Sequence, residues 1–181
     1  MLLSGFIPLL SLLLALIIGL GNPAPLLAQP LPIAPTTEIT MANKPLFSFS
    51  GKRPTNLGVK DGKLAPCSSS PNCVSSQALD SDPDHKVEIF AYSSSPSEAI
   101  AKLKSIIQNM ERTKIITETD NYLYAEFTSS LMGFVDDVEF YLDPNATVIH
   151  VRSASRLGQS DLGVNRKRVE AIRVKFTALG S

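Results

Sequence analysis

The 181-residue sequence contains no Trp, and aromatic residues make up only 7% of it. It has two Cys and two His, and its 17 basic and 17 acidic side chains cancel. That balance lacks the basic excess that nucleic-acid binders carry, so no nucleic-acid partner is expected. Two Cys with two distant His do not complete a zinc site. Neither a phosphate-binding glycine loop nor a catalytic triad pattern is present. No catalytic residue, metal or cofactor is therefore expected, and an enzyme is the less favoured class. With 44% hydrophobic residues the chain is too apolar to be mainly disordered. Its length suits one domain with extensions.

Charge is missing from the whole N-terminal stretch. The first acidic side chain is Glu38 and the first basic one is Lys44. Between Ile7 and Leu20 runs an apolar core shorter than the roughly 20 residues that cross a bilayer. It reads as the hydrophobic region of a secretory signal with cleavage after Ala28. Two features depart from that pattern: no Lys or Arg precedes the core, and Leu26 stands three residues before the cut. An uncleaved N-terminal anchor is the alternative, and both readings leave the domain outside the cytoplasm. No Cys follows the core, which argues against a lipid-anchored N-terminus. The leader is neither Arg-rich nor Ser-rich, unlike a plastid transit peptide. Residues 1–28 are thus expected to direct export to the periplasm or thylakoid lumen, leaving no transmembrane helix after cleavage.

Residues 29–63 read as a tether. Pro30, Pro32, Pro35, Pro45 and Pro54 keep it extended, and Gly51, Gly58 and Gly62 loosen it. Lys44, Lys52, Arg53, Lys60 and Lys63 make its second half basic. That charge suits either a solvated tether or attraction to anionic lipid headgroups. The domain proper is expected over residues 64–181.

Both cysteines lie in Pro66-Cys67-Ser68-Ser69-Ser70-Pro71-Asn72-Cys73, too far apart for a two-residue redox motif. In an exported chain a disulfide is expected, with Pro71 and Asn72 suited to the turn that closes it. A redox-active pair is the sharper alternative.

From Val87 the pattern becomes regular. Val87, Ile89 and Ala91 alternate with Glu88, Phe90 and Tyr92, which predicts a strand. Ser95-Pro96-Ser97-Glu98 is a capping box with Pro at the first helical position. The helix behind it carries Ile100, Leu103, Ile106, Ile107 and Met110 on one stripe. Four strands follow at 114–118, 122–128, 134–142 and 147–153. Their close spacing predicts antiparallel hairpins. A last helix begins near Asn165, read as its cap, with Val169, Ile172, Phe176 and Leu179 on one face. The order predicts an α+β two-layer sandwich of about five antiparallel strands and two helices, with one sheet face partly open.

The densest polar signal runs from Arg152 to Arg168, off a strand end and onto a helix start. Arg152, Arg156, Arg166 and Arg168 suit an anion site near a helix N-terminus. A structural ion-pair network with Asp136, Asp137, Glu139 and Asp161 is the favoured reading, with Glu170 placed to pair with Arg166. His150 beside Asp137 or Glu139 is a thinner lead toward metal or acid–base chemistry. Ser153 and Ser155 near His150 establish no nucleophile geometry.

Three motifs carry a resemblance: Pro71-Asn72-Cys73-Val74-Ser75, Gly133-Phe134-Val135-Asp136-Asp137-Val138-Glu139, and Arg152-Ser153-Ala154-Ser155-Arg156 through Asp161 to Glu170. In this order they resemble the family catalogued as domain of unknown function 1499, found in bacteria, including cyanobacteria, and in plastids. The resemblance spans about Leu64 to Leu179. It implies that the Arg-rich loop and the Asp136/Asp137 strand share one design, and it implies no reaction. The reading is an exported binding or assembly module. An enzyme or small-ligand binder with an Arg-rich anion site, and a redox-responsive protein using Cys67 and Cys73, are the alternatives; an anionic small ligand or a protein is the partner expected.

Overall fold

The computed structural model describes residues 45–180. The expected signal peptide and the first part of the tether lie outside the described residues. The elements run β1 (Cys73–Ser75), β2 (Phe90–Ala91), α1 (Pro96–Gln108), β3 (Thr113–Glu118), β4 (Tyr122–Thr128), β5 (Val135–Leu142), β6 (Val148–Ser155) and α2 (Val164–Ala178).

The strands form one antiparallel sheet in the order β1-β6-β5-β4-β3, with β2 sharing the β6 edge with β1. This is the expected α+β sandwich, with six strands where about five were expected. The extra strand is β1, three residues long and hidden in the Ser-rich cysteine segment. Its Cys73, Val74 and Ser75 pair with Ala154, Ser153 and Arg152.

The first predicted strand is shorter than its alternation suggested. Only Phe90 and Ala91 pair, opposite Ile149 and Val148. Val87, Phe90 and Tyr92 are buried while Ile89 is exposed, so the alternating faces do not hold through this segment. It leaves β1 beside Lys86 and reaches the β6 edge only at Phe90, a path that breaks the period of two.

α1 follows its sequence signals closely. Ser95 accepts from the Glu98 amide and Glu98 reaches back to the Ser95 amide, with Pro96 opening the helix. Such a cap stabilises by about 1 kcal/mol. α2 begins differently. Its cap is Gly163 at φ +78°, with no side-chain cap bond. Asn165, the expected cap, lies inside the helix and is fully buried.

Both helices cover one sheet face. Leu103 and Ile107 of α1 and Val169, Ile172 and Phe176 of α2 join Leu123, Ala125, Val138, Phe140, Ile149 and Val151 in the core. Phe90 meets Phe140 and Phe176 edge-on, each at 5.8 Å between ring centroids. Full burial of each such side chain stabilises by roughly 1.5–3 kcal/mol.

The other face is not left open. Every residue of β5 is buried, on both sides of the sheet. Part of the cover comes from residues 45–64, most of which were expected in the tether. Arg53 pairs with Glu126, and the Gly58 amide donates to Glu139 Oε1 at 2.7 Å. Leu64 is buried and its amide donates to Gln77 Oε1. Farther back, Phe47 and Phe49 amides donate to the Leu131 and Met132 carbonyls at 3.2 and 3.1 Å. This approach needs glycine at 133: a Cβ there would stand 2.3 Å from the Phe47 carbonyl oxygen, and the backbone has φ +67°. The folded unit thus begins before the boundary expected at Leu64. Cys67 and Cys73 are joined by a disulfide that ties the end of this segment to β1.

Candidate ion-pair and anion site

The period of two along β4, β5 and β6 sends Tyr122, Tyr124, Glu126, Asp137, Glu139, Tyr141, His150 and Arg152 to the face away from the helices. Register then fixes the neighbours: Tyr124 stands opposite Glu139, Glu126 opposite Asp137, and Glu139 opposite Arg152. Asp137 and Glu139 are 1% and 0% exposed, so each carboxylate needs donors inside the protein.

Asp137 receives a bidentate guanidinium. Arg156 Nε donates to Oδ2 at 2.9 Å and Nη2 to Oδ1 at 2.6 Å, while the Tyr124 hydroxyl donates to Oδ1 at 2.5 Å. Arg156 Nη2 also pairs with Glu126, whose Oε1 accepts from Arg53 Nε at 2.8 Å. Burial works against the charged Glu126 carboxyl, yet the Arg156 and Arg53 bonds outweigh it and hold it below the usual carboxylate range. The Asp137 hydrogen bond, with Glu126 adding to it, outweighs burial and leaves the Arg156 guanidinium more firmly protonated than usual. Burial, with Asp137 beside it, pushes the Tyr124 hydroxyl well up and keeps it a donor.

Glu139 has its own set. Its Oε1 accepts from the Tyr122 hydroxyl at 2.8 Å as well as from Gly58, and Oε2 from Arg152 Nη1 at 3.3 Å. Arg152 Nε is buried without a partner.

The remaining arginines face other ways. Arg168 pairs with Asp136 and donates to Asn165 Oδ1 at 2.7 Å, its guanidinium 4.8 Å from the Phe127 ring centroid. Asn165 is the hub here. Its Nδ2 donates to the Asn72 carbonyl and Ser155 Oγ, and its Oδ1 also accepts from Ser153. Asn72 in turn donates to the Gly158 carbonyl at 2.7 Å, so the three motifs quoted above converge around one loop.

Several expected pairings do not form. Arg166 does not meet Glu170, which pairs with Arg173. Its guanidinium instead donates to the carbonyls of Pro83, Asp84 and Lys86, clamping that segment to α2. Asp161 pairs with no arginine. It accepts from the Gly163 and Asn165 amides, supplying the carboxylate that the start of α2 favours. His150 turns away from Asp137 and Glu139 to stack on Tyr141, with Ser76 Oγ 3.3 Å from Nδ1. Burial lowers its pKa, only partly offset by Asp143. Ser76 Oγ is occupied by the Val151 amide at 2.9 Å, and Ser153 points into the helix layer. Among the described residues no group of three or more His, Cys, Asp or Glu could hold a metal ion.

Two open clefts, of about 680 and 830 Å³, flank the sheet. Neither is lined by Arg152, Arg156, Arg166 or Arg168.

Sequence reasoning missed Tyr122, Tyr124 and Glu126 as partners, although their alternation in β4 matches that of Asp137 and Glu139. Arg53 carries no such signal, since it arrives from 73 residues away. His85 was also passed over. Its Nδ1 sits 2.8 Å from Asp82 Oδ2 and its Nε2 donates to the Ser70 carbonyl, inside the disulfide loop.

Residues 63–176, more than half of the chain, match the model of a family described as protein of unknown function (DUF1499). No curated protein matches. No solved structure matches either.

Burial opposes the charged His85 imidazole, but Asp82 and the Ser70 carbonyl outweigh it and raise its pKa above 6.5. Its contribution is then complete below that pH and fades as pH rises through the raised folded value. His150 shifts the other way, so the readout is a difference. The gap in thermal midpoint between wild type and His85→Gln should be widest in acid and narrow as pH rises past neutrality. A gap that stays constant across that range contradicts the assignment.

Proposed function

The chain belongs to the DUF1499 family of proteins of unknown function, and from that premise we propose that it is an exported, non-enzymatic binding or assembly module of the periplasm or thylakoid lumen. One observation carries the non-enzymatic part. The arginines that would attract an anionic substrate are consumed by carboxylates, carbonyls and amide oxygens of the protein itself. In this reading Arg156 holds the loop before α2 onto the sheet, and the loop is scaffold. The alternative, an anion site using Arg152, Arg156, Arg166 and Arg168, requires Arg166 to leave its carbonyls and Arg152, Arg156 and Arg168 to swing away from the buried carboxylates of Glu139, Asp137 and Asp136. Breaking such a buried pair costs about 3–5 kcal/mol.

Export is supported by the leader pattern and by the disulfide, which persists in oxidising compartments. Cys73 is 2% exposed, which favours a staple over an exchanging redox pair.

Tagged at its C-terminus, the protein should be recovered from a non-cytoplasmic fraction without residues 1–28 and with no titratable thiol. Full-length cytosolic protein with two thiols contradicts export. The structural role of the loop has a separate check. Arg156→Ala should lower the thermal midpoint by an amount that sulfate does not change, with wild type equally indifferent to sulfate. A variant as stable as wild type, together with a wild type that sulfate stabilises, favours the anion site instead.

A further inference from the structure

Lys60 and Lys63, two of the basic residues that the sequence places in the tether, both line the cleft of about 680 Å³. They form a small hairpin, exchanging both backbone hydrogen bonds at 2.8 and 3.0 Å around Asp61 and Gly62. Those two residues have φ +52° and +73°, the pair of left-handed positions that an Asp-Gly turn supplies. Leu64, Ala65, Pro66, Ala78 and Leu79 add apolar surface to the same cleft.

The lining is held in place on several sides. Gln77 Nε2 donates to the Gly62 carbonyl at 3.1 Å, and its Oε1 accepts from the Leu64 amide at 2.8 Å. Gly58 is anchored on the buried Glu139 carboxylate, and Cys67 is closed into the disulfide. Small-molecule sites are usually formed in advance in this way, with volumes of roughly 300–1,000 Å³.

The charge is the unusual feature. In a hydrogen-bonded antiparallel pair the two side chains leave the same side of the ribbon, with Cα atoms about 5.5 Å apart. Like charges placed so repel and destabilise the pair. The arginines around the sheet are consumed by the protein. The lysine ion pairs among the described residues, by contrast, are Lys86–Asp80 and Lys104–Glu118, and they include neither Lys60 nor Lys63. Two carboxylates share the lining. Asp82 is taken by His85, and Asp61 sits at the turn tip. Two ammonium groups therefore stand against one carboxylate, an excess of one positive charge.

We propose that this cleft binds a singly charged carboxylate carried on an apolar chain. The inference rests on the binding-module reading and names its ligand. A one-charge excess matches a monoanion better than a phosphate dianion, and the apolar lining accepts the chain. A carboxylate between Lys60 and Lys63 also relieves the repulsion that the hairpin carries on its own. Sulfate has the charge without the chain, so it leaves the apolar lining uncovered and is a poor substitute.

Dodecanoate, kept below its micelle-forming concentration, is titrated calorimetrically into the full chain and four single variants. Lys60→Ser and Lys63→Ser should each weaken binding about two- to fivefold, the range of an exposed charge contact. Neither should lower the thermal midpoint, because each removes repulsion and no hydrogen bond. Asp61→Asn keeps a residue suited to the left-handed turn and should strengthen binding by a similar factor. Dodecanol should bind the wild type more weakly than dodecanoate does. Phe49→Ser, in the exposed aromatic cluster outside the cleft, should bind as the wild type does. The proposal is overturned by a wild type that does not bind dodecanoate, or by dodecanol that binds as tightly. Hairpin variants that match the wild type, or an Asp61→Asn that binds no better, overturn it as well. A loss found in Phe49→Ser instead assigns the chain to the aromatic cluster, and no loss in any variant assigns it to the apolar leader. The export assay and the sulfate comparison with Arg156→Ala do not depend on dodecanoate, so the ligand and the module reading fail separately.

Discussion

Two carboxylates inside a sheet set the terms for the rest of this structure. Asp137 and Glu139 point from the central strand β5 to the face without helices, and both are buried there. Removing a carboxylate from water is costly unless charged or polar donors replace the lost hydration. The replacements come from four places: tyrosines on β4, Arg152 on β6, Arg156 just beyond it, and the Gly58 amide from the N-terminal segment. Each donor is a constraint on the fold. Together they draw residues 53–58 across the sheet and hold the loop before α2 against its edge.

The second polar cluster extends this logic to the helix layer. Asp136, one residue from Asp137 and therefore on the opposite face, takes Arg168 from α2. Asn165 links that pair to Asn72 beside the disulfide and to Ser155 at the end of β6. The Arg152–Arg168 stretch is thus divided between the two faces of one sheet. The separated motifs that carried the resemblance meet here, because β1 pairs with the end of β6 and α2 packs over the same end.

Much of this was legible in the sequence wherever a period or a cap recorded it. The α1 capping box, the stripes of both helices and the alternation in β5 and β6 follow from local chemistry. β1 was not legible, because three residues in a serine-rich turn have no period. The Asn165 cap was misread because a buried amide within a helix looks, in sequence, like an amide at its start. Arg156 and Asp137 were both visible as candidates, but their pairing depends on strand register. Arg166 was assigned to Glu170 by helical spacing. Its guanidinium instead bonds three carbonyls about 80 residues upstream, contacts that no local rule contains.

The central claim is that Arg156 and Asp137 stabilise the fold as a pair, and a double-mutant cycle addresses it directly. Urea unfolding of Arg156→Met and of Asp137→Leu should each show a loss of about 3–5 kcal/mol, the cost of stranding a buried partner. The double variant should lose far less than the sum of the two, because no charge is then left unpaired. Losses that simply add would contradict the account, since they would mean that the two side chains stabilise the protein independently.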